Sequence, residues 1–265
     1  MFDASAYFFA LAVLSLIAPA GWIVSVVKRD VSIVDSLWSL FLLAAAVAYT
    51  VRLDETGPRA ALILALVLLW AIRLSAHITW RNHGMPEDHR YQAIRRNNEP
   101  HFELKSLFIV FGLQAVLAWI VSVPLLAAIA STRAIGVLDF LGIALWITGF
   151  LFETLADWQL ARFKSDDKNG GQVMDRGLWR YTRHPNYFGE FCVWWGFYII
   201  AFAAGGWWAV ISPLLMSLLL WRVSGVALLE KDIAERRPAY REYVACTNAF
   251  FPGPRHGAQT RRVST

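Results

Sequence analysis

The chain has 265 residues, of which 57% are hydrophobic and 17% charged, with a formal net charge of +5 and a positive mean hydropathy. A soluble domain carries about 25% charged residues, so this composition argues against a water-soluble protein and favours one that uses lipid as part of its solvent. The two cysteines, Cys192 and Cys246, lie in no CxxC or Cys/His cluster, so neither a disulfide framework nor a metal site is expected.

Seven apolar stretches have roughly the 20 residues that a helix needs to cross a bilayer. In chain order they are residues 7–27, 33–51, 60–78, 106–130, 135–155, 187–204 and 207–229. They predict an all-α fold, in which residues 1–254 form a single bundle of seven transmembrane helices. The remaining residues, 255–265, are expected to be a disordered tail, because Pro, Gly, Ser and Thr stand there among scattered arginines.

The basic residues between these stretches are distributed unevenly. Twenty of the 25 Lys and Arg residues fall in the connections after the first, third and fifth stretches and in the segment after the seventh, whereas only three fall in the other connections. Because cytoplasmic loops are enriched in Lys and Arg, the pattern predicts an N-terminus outside and a C-terminus in the cytoplasm. The charges lie where membrane topology requires them, so no nucleic-acid partner is expected.

Several ionisable residues lie within the apolar stretches, where a charge is costly and a cavity or partner is expected. Asp35, near the start of the second stretch, could cap the helix or line the mouth of a pocket. Arg73 and His77 share one face of the third stretch, and Arg73 could either reach the membrane surface or contact a ligand. Arg222 lies deeper, near the middle of the seventh stretch, so a buried partner is expected for it.

Glu153 and Asp157 are four residues apart at the predicted end of the fifth stretch, so they share one helix face. Two carboxylates at a helix C-terminus oppose the helix dipole, which requires an offsetting contact. Salt bridges to arginines of the following loop could supply it, and so could hydrogen bonds to the ribose or amide of a bound cofactor.

The densest group of polar residues is the segment GLWRYTRHPNYFGE, residues 177–190. Pro185 fits the first turn of a helix, and the free N–H groups of such an N-terminus, together with the basic side chains, suit a phosphate or pyrophosphate. Glu190 would lie about one turn inside the membrane, where a lone carboxylate is expensive. The segment therefore predicts a binding site, and since the chain has no Rossmann or P-loop motif, the bundle itself would hold any nucleotide.

The motifs of this chain resemble the steroid 5α-reductase family, and more closely its bacterial branch, which is often labelled only as a domain of unknown function. The resemblance lies in ETLADWQLARF at 153–163, GLWRYTRHPNYFGE at 177–190, YREY at 240–243, LWAIRLS at 69–75 and EDHRY at 87–91. It spans most of the chain and is strongest from 153 to 252. It implies a seven-helix bundle and a bacterial inner-membrane location, and the oligomeric state stays open, with a monomer as one option.

The resemblance also implies an activity, which is hydride transfer from NADPH to the carbon–carbon double bond of a 3-oxo-Δ4 steroid or a similar lipophilic enone. The substrate would enter from the membrane lipid, and the cofactor from the cytoplasm. The residues expected to contact NADPH are Arg73, Glu153, Asp157, Arg162, Lys164, Arg176, Arg180, Tyr181, Arg183, His184, Asn186, Arg222, Glu230 and Tyr243.

Catalytic roles are expected for Asp35, Tyr187 and Glu190, and substrate contacts for Trp38 and Trp70. The animal enzymes of the family polarise the steroid ketone with a Gln-Glu pair and a Tyr on the third helix. Here Asp35 followed by a serine stands in the first position, and Trp70 stands in the second. Since enone reduction needs a donor at the carbonyl oxygen, an Asp35 protonated by apolar surroundings could provide one.

Two other functions remain open at the level of the sequence. The Arg-His-Pro-x-Tyr motif is also similar to membrane methyltransferases that use S-adenosylmethionine to modify isoprenylcysteine or phospholipid head groups. The acidic pair at 153 and 157, the EDHRY motif and the Trp-rich helices favour the reductase. A transporter or non-catalytic lipid-binding protein could place Glu190 and Arg222 along a substrate path, but the chain shows no broken helices in matched halves.

Overall fold

The computed structural model describes residues 2–223 and 239–256. Over these residues the chain forms helices and loops without a β-strand, which confirms the all-α prediction. The α-helices are α1 (Ala4–Lys28), α2 (Ile33–Arg52), α3 (Arg59–Asn82), α4 (His89–Asn98), α5 (Phe102–Ser106), α6 (Leu113–Val121), α7 (Val123–Ile129), α8 (Val137–Lys164), α9 (Pro185–Ala203), α10 (Ile211–Leu218) and α11 (Ala239–Cys246). A π-helix, Leu107–Gly112, joins α5 to α6, and a second, Leu219–Val223, follows α10.

Five helical segments are long and apolar enough to cross a membrane, which indicates an integral membrane protein. They are α1, α2, α3, the continuous segment Phe102–Val121 and α8, and they correspond to the first five predicted stretches. The sixth stretch forms α9, which has 19 residues and is not among the five. The seventh extends into residues 224–229, outside the described residues, so the count of seven spans stays a prediction.

The end of α8 differs from the prediction, because the helix continues to Lys164 instead of ending at 155. Glu153 and Asp157 are therefore interior residues, and the expected conflict of two carboxylates with the helix dipole does not arise. Arg162 and Lys164 occupy the last turn instead, where positive charge interacts favourably with the dipole. The fourth stretch is interrupted at Ser122, where the Pro at the start of α7 breaks the hydrogen-bond ladder.

The described chain forms two units, each with its own packing. The first comprises residues 2–140 and 197–212. Its interior includes the fully buried side chains of Leu14, Phe41, Trp70 and Phe111. The second comprises residues 141–196, 213–223 and 239–256.

A buried ion pair links the start of α3 to the start of α8 within the first unit. The Arg59 guanidinium donates to both carboxylate oxygens of Asp139 at 2.7 Å and also to the carbonyls of Arg133 and Ala134. Both charged side chains are at most 1% exposed. The pair is fully satisfied, which a buried charge in an apolar protein requires.

Glycines allow α8 and α9 to pack closely within the second unit. A Cβ atom added at Gly149 would lie 2.5 Å from the Gly189 carbonyl oxygen, and one at Gly196 would lie 2.8 Å from the Gly142 carbonyl oxygen. Earlier residues of α8 thus meet later residues of α9, so the two helices are antiparallel. Small residues permit this approach in membrane proteins, and here it brings the Glu153 turn of α8 against the first turns of α9.

Candidate active site

The first polar cluster, called the Asp35 cluster below, consists of Asp35, Arg90, Tyr91 and Gln114 in the first unit. The Tyr91 hydroxyl donates to Asp35 Oδ1 at 2.5 Å, and Arg90 Nη2 donates to Asp35 Oδ2 at 2.7 Å. Gln114 Nε2 donates to the Tyr91 hydroxyl oxygen at 3.3 Å. One carboxylate, one cation, one hydroxyl and one amide thus form a connected network at the first turn of α2.

The loop before α4 brings Tyr91 to Asp35 through contacts that the EDHRY motif supplies. Asp88 caps α4 by accepting from the Arg90 backbone N–H, and its own N–H donates to the Ser32 hydroxyl at 2.8 Å. Glu87 accepts from the Val31 N–H at 2.9 Å. These bonds fix the start of α4 against the start of α2, so residues 56 positions apart in the chain meet in one network.

Burial and charge in the Asp35 cluster favour a neutral hydroxyl beside a cation. Burial raises the pKa of Tyr91 above its ordinary value, and the neighbouring Asp35 charge and hydrogen bond raise it further. Burial acts to lower the pKa of Arg90, but the Asp35 and Asp88 carboxylates outweigh it and raise that pKa. The Asp35 carboxylate accepts both hydrogen bonds, so the hydroxyl that can donate in this cluster is that of Tyr91.

The other predicted residues of the first unit lie on α2 and α3. Trp70 is fully buried, and Trp38 and Arg73 are partly buried. Ser39, next to Trp38, donates to the Ala71 carbonyl at 2.9 Å and joins the two helices at the level of Trp70. Trp70 thus belongs to the packed interior of this unit.

The second polar cluster, called the Asn186 cluster below, contains Glu153, Asp157, Arg183, His184 and Asn186. The first four are at most 8% exposed, an unusual concentration of ionisable groups for an interior. Helices α8 and α9 meet where Asn186 Nδ2 donates to Asp157 Oδ1 at 3.2 Å. Both belong to the second unit, so the structure brings the two motifs at 153–163 and 177–190 together.

Arg183 and its neighbours bind the C-terminal segment. Arg183 Nη1 donates to the carbonyls of Val244 and Thr247, the latter at 2.5 Å, so the guanidinium caps the C-terminus of α11. The Tyr243 hydroxyl donates to the Trp179 carbonyl, and the Thr182 hydroxyl donates to the Phe250 carbonyl. Burial raises the pKa of Tyr243. Two residues expected at the cofactor, Arg183 and Tyr243, therefore hold the segment 239–256 on the 177–184 loop.

The remaining predicted residues of the second unit fall into two groups. The first group follows Asp157 in the chain and is exposed; it consists of Arg162, Lys164, Arg176, Arg180 and Tyr181. On the first turns of α9, Tyr187 stacks on His184 with ring centroids 5.6 Å apart, and Glu190 is partly buried. Glu230 and the side chain of Arg222 lie outside the described residues.

Two residues of the Asp35 cluster, Tyr91 and Gln114, were not predicted as site residues. The sequence signal for Tyr91 was its place in EDHRY, an acidic and aromatic motif that directly follows a span. Gln114 could have been identified as an uncharged polar residue within a predicted span. Neither signal shows that the two side chains meet Asp35, because that contact depends on the fold of the loop.

The fold and these clusters define a class, the helical integral membrane proteins with buried polar networks. Within it, the chain belongs to the family described as "Protein of unknown function (DUF1295)", whose model matches residues 21–247. This match supports the branch labelled as a domain of unknown function that the motifs indicated.

Two relatives extend the comparison. An uncharacterised protein of Schizosaccharomyces pombe is 26% identical over 266 residues, which cover 87% of this chain and 75% of that protein. The 3-oxo-5-alpha-steroid 4-dehydrogenase 1 of Bos taurus is 32% identical over 66 residues, which cover 25% of this chain and 26% of the enzyme. No solved structure matches the chain.

Proposed function

We propose that this chain is an NADPH-dependent membrane reductase that transfers a hydride to the carbon–carbon double bond of a 3-oxo-Δ4 steroid or a similar lipophilic enone. The observation that carries the proposal is the buried Tyr91 hydroxyl between Asp35 and Gln114, because it is the donor that such a reaction needs. The similarity to bovine 3-oxo-5-alpha-steroid 4-dehydrogenase 1, whose name specifies a 3-oxo steroid, supports it.

The Asp35 cluster suits the charge that develops during enone reduction. Hydride addition at the carbon β to the carbonyl leaves negative charge on the carbonyl oxygen, which a positioned donor stabilises, and a proton from water added at the α carbon then completes the saturated ketone. In the free protein the Tyr91 hydrogen is given to Asp35. A neutral carbonyl competes weakly for that hydrogen and a developing oxyanion competes strongly, so Tyr91 would stabilise the transition state more than the bound substrate. Arg90 compensates the charge that Asp35 then retains.

The second unit carries groups that fit the cofactor. The exposed cations Arg162, Lys164, Arg176 and Arg180 suit its phosphates, and the N-terminus of α9 adds a positive dipole end. The Asp157–Asn186 pair supplies an acceptor and an amide of the kind that bind ribose hydroxyls or a carboxamide. When bound, NADPH supplies the hydride.

We also propose seven spans, with α9 and residues 207–229 as the last two, an N-terminus outside and a C-terminus in the cytoplasm. The uneven distribution of Lys and Arg supports this orientation. Labelling of single cysteines placed in the 83–100 and 165–176 loops tests it. Both positions should react with an impermeant reagent only after the membrane is opened, and labelling of intact cells would contradict the orientation.

The function is tested with the purified full-length chain in lipid nanodiscs. NADPH binding and consumption are measured against a panel of 3-oxo-Δ4 steroids and simpler enones, with S-adenosylmethionine as the competing cofactor. We expect NADPH to bind and to be consumed with an enone, and the Asp35→Asn variant to keep binding while losing turnover, because Arg90 loses its counter-charge and the Tyr91 hydroxyl loses the carboxylate that positions it. Binding of S-adenosylmethionine in place of NADPH, or unchanged turnover in the variant, would contradict this.

A further inference from the structure

Gln114 is the second residue of α6, which directly follows the π-helix Leu107–Gly112. Its Nε2 donates to the Tyr91 hydroxyl, but its Oε1 atom is buried without a hydrogen-bond partner among the residues that the structure describes. An acceptor in this state is costly, because it has lost water without gaining a donor. π-helical turns are also uncommon and occur frequently at functional sites.

The hydrogen bonds around Tyr91 determine which way the Gln114 amide faces. The single hydroxyl hydrogen of Tyr91 is given to Asp35, so the hydroxyl oxygen can only accept from Gln114. Rotating the amide would place Oε1 against that oxygen with no hydrogen between them. The network therefore requires Nε2 toward Tyr91 and leaves Oε1 as a buried acceptor without a partner among the described residues, beside the candidate catalytic hydroxyl.

We infer that Gln114 determines substrate specificity, with Oε1 accepting a hydrogen bond from a hydroxyl or N–H group that the substrate carries next to its carbonyl. The inference rests on the proposed function and narrows its substrate class. A plain 3-oxo-Δ4 steroid has no donor beside its ketone and would leave Oε1 unpaired. A lipophilic enone with a hydroxyl on the neighbouring saturated carbon satisfies Tyr91 and Gln114 together.

Three matched ligands test this with the full-length chain in nanodiscs. They are an alkyl-substituted cyclohexenone with a hydroxyl on the saturated carbon beside the carbonyl, its methyl ether and the compound without the oxygen. Turnover is measured with these three enones. Affinity is measured calorimetrically with their saturated counterparts, which have no carbon–carbon double bond to reduce. We expect the hydroxyl compound to bind at least about tenfold more tightly than either analogue, because a site built to pair a hydroxyl rejects ligands that lack it.

The variant Gln114→Met keeps the length of the side chain and removes the acceptor, so the preference should disappear. Gln172→Met, an exposed glutamine of the second unit, is the control and should keep it. Equal affinity of the wild-type chain for all three ligands, or no binding of any, overturns the inference even if Gln114→Met fails to fold. If the chain reduces the three enones equally well, the inference about Gln114 is overturned while the proposal that the chain is a reductase stands. A Gln114-dependent preference without NADPH consumption upholds it while the reductase proposal fails.

Discussion

Tyr91 is the residue on which the proposed chemistry depends most directly. Its ring is buried, so the change Tyr91→Phe keeps the packing and removes only the hydroxyl. Because removal of one oxyanion donor typically costs about 10²–10³ in turnover, we expect a loss of that size with NADPH affinity unchanged. Steady-state kinetics and NADPH titration measure the two effects.

The matched control is Tyr198→Phe, which removes a hydroxyl that donates to the Trp207 carbonyl. It should keep wild-type turnover. Full activity of Tyr91→Phe would show that the hydroxyl does not take part in the reaction.

The raised pKa of Tyr91 leads to a second prediction, on the pH dependence of turnover. An acid whose pKa is raised keeps its proton to higher pH, so the donor form of Tyr91 persists where an ordinary tyrosine, with a pKa of about 10, starts to ionise. The pH profile of kcat should therefore show no decline from this group as the pH rises through 10. A decline there with intact fold, checked by circular dichroism, would contradict the assignment.

Among the helices, the close approach of α8 and α9 places Asp157 beside Asn186 and Glu153 against Gly189. A Cβ atom at Gly189 would lie 2.5 Å from the Glu153 backbone nitrogen, which cannot rotate away as a side chain could. We expect Gly189→Ala to lower the free energy of unfolding by about 1–3 kcal/mol and to weaken NADPH binding, because the two helices must move apart. Thermal unfolding and cofactor titration are the measurements.

Gly136→Ala is the control for this change, since a Cβ atom there meets nothing within 4 Å. If both variants unfold at the same temperature and bind NADPH equally, the glycine contact does not position the Asn186 cluster.

The buried pair of Arg59 and Asp139 should contribute strongly to the stability of the first unit. Arg59→Met leaves a buried carboxylate without its counter-charge, a change that typically costs about 3–5 kcal/mol. Arg255→Met breaks the exposed pair with Asp175 and should cost less than about 1 kcal/mol. Chemical denaturation compares the two, and equal losses would contradict the buried geometry.

The helices were more predictable than the contacts between them. Apolar length alone located α1, α2 and α3 to within a few residues, because lipid exposure requires such stretches. It missed the end of α8, since the charged residues through Lys164 continue the helix beyond the apolar part. The resemblance placed Trp70 at the family tyrosine position, and the structure shows that the hydroxyl beside Asp35 belongs to Tyr91 on α4. Linear spacing does not show how a loop folds back.

The whole molecule is a membrane protein that combines apolar helices with two clusters of buried hydrogen-bonding groups. The proposal gives these features one use, the reduction of a lipophilic enone with NADPH. A substrate of this kind partitions into the bilayer, and its exclusion from water favours hydride transfer over side reactions.

Transfer of a labelled hydride shows whether the chain reduces an enone with NADPH. The full-length chain in nanodiscs is given an enone and NADPH that carries deuterium at the transferable position, and the product is examined by mass spectrometry and NMR. We expect a saturated ketone with one deuterium on the carbon β to the carbonyl. A product without deuterium, or no product from any enone while NADPH is bound, would contradict it.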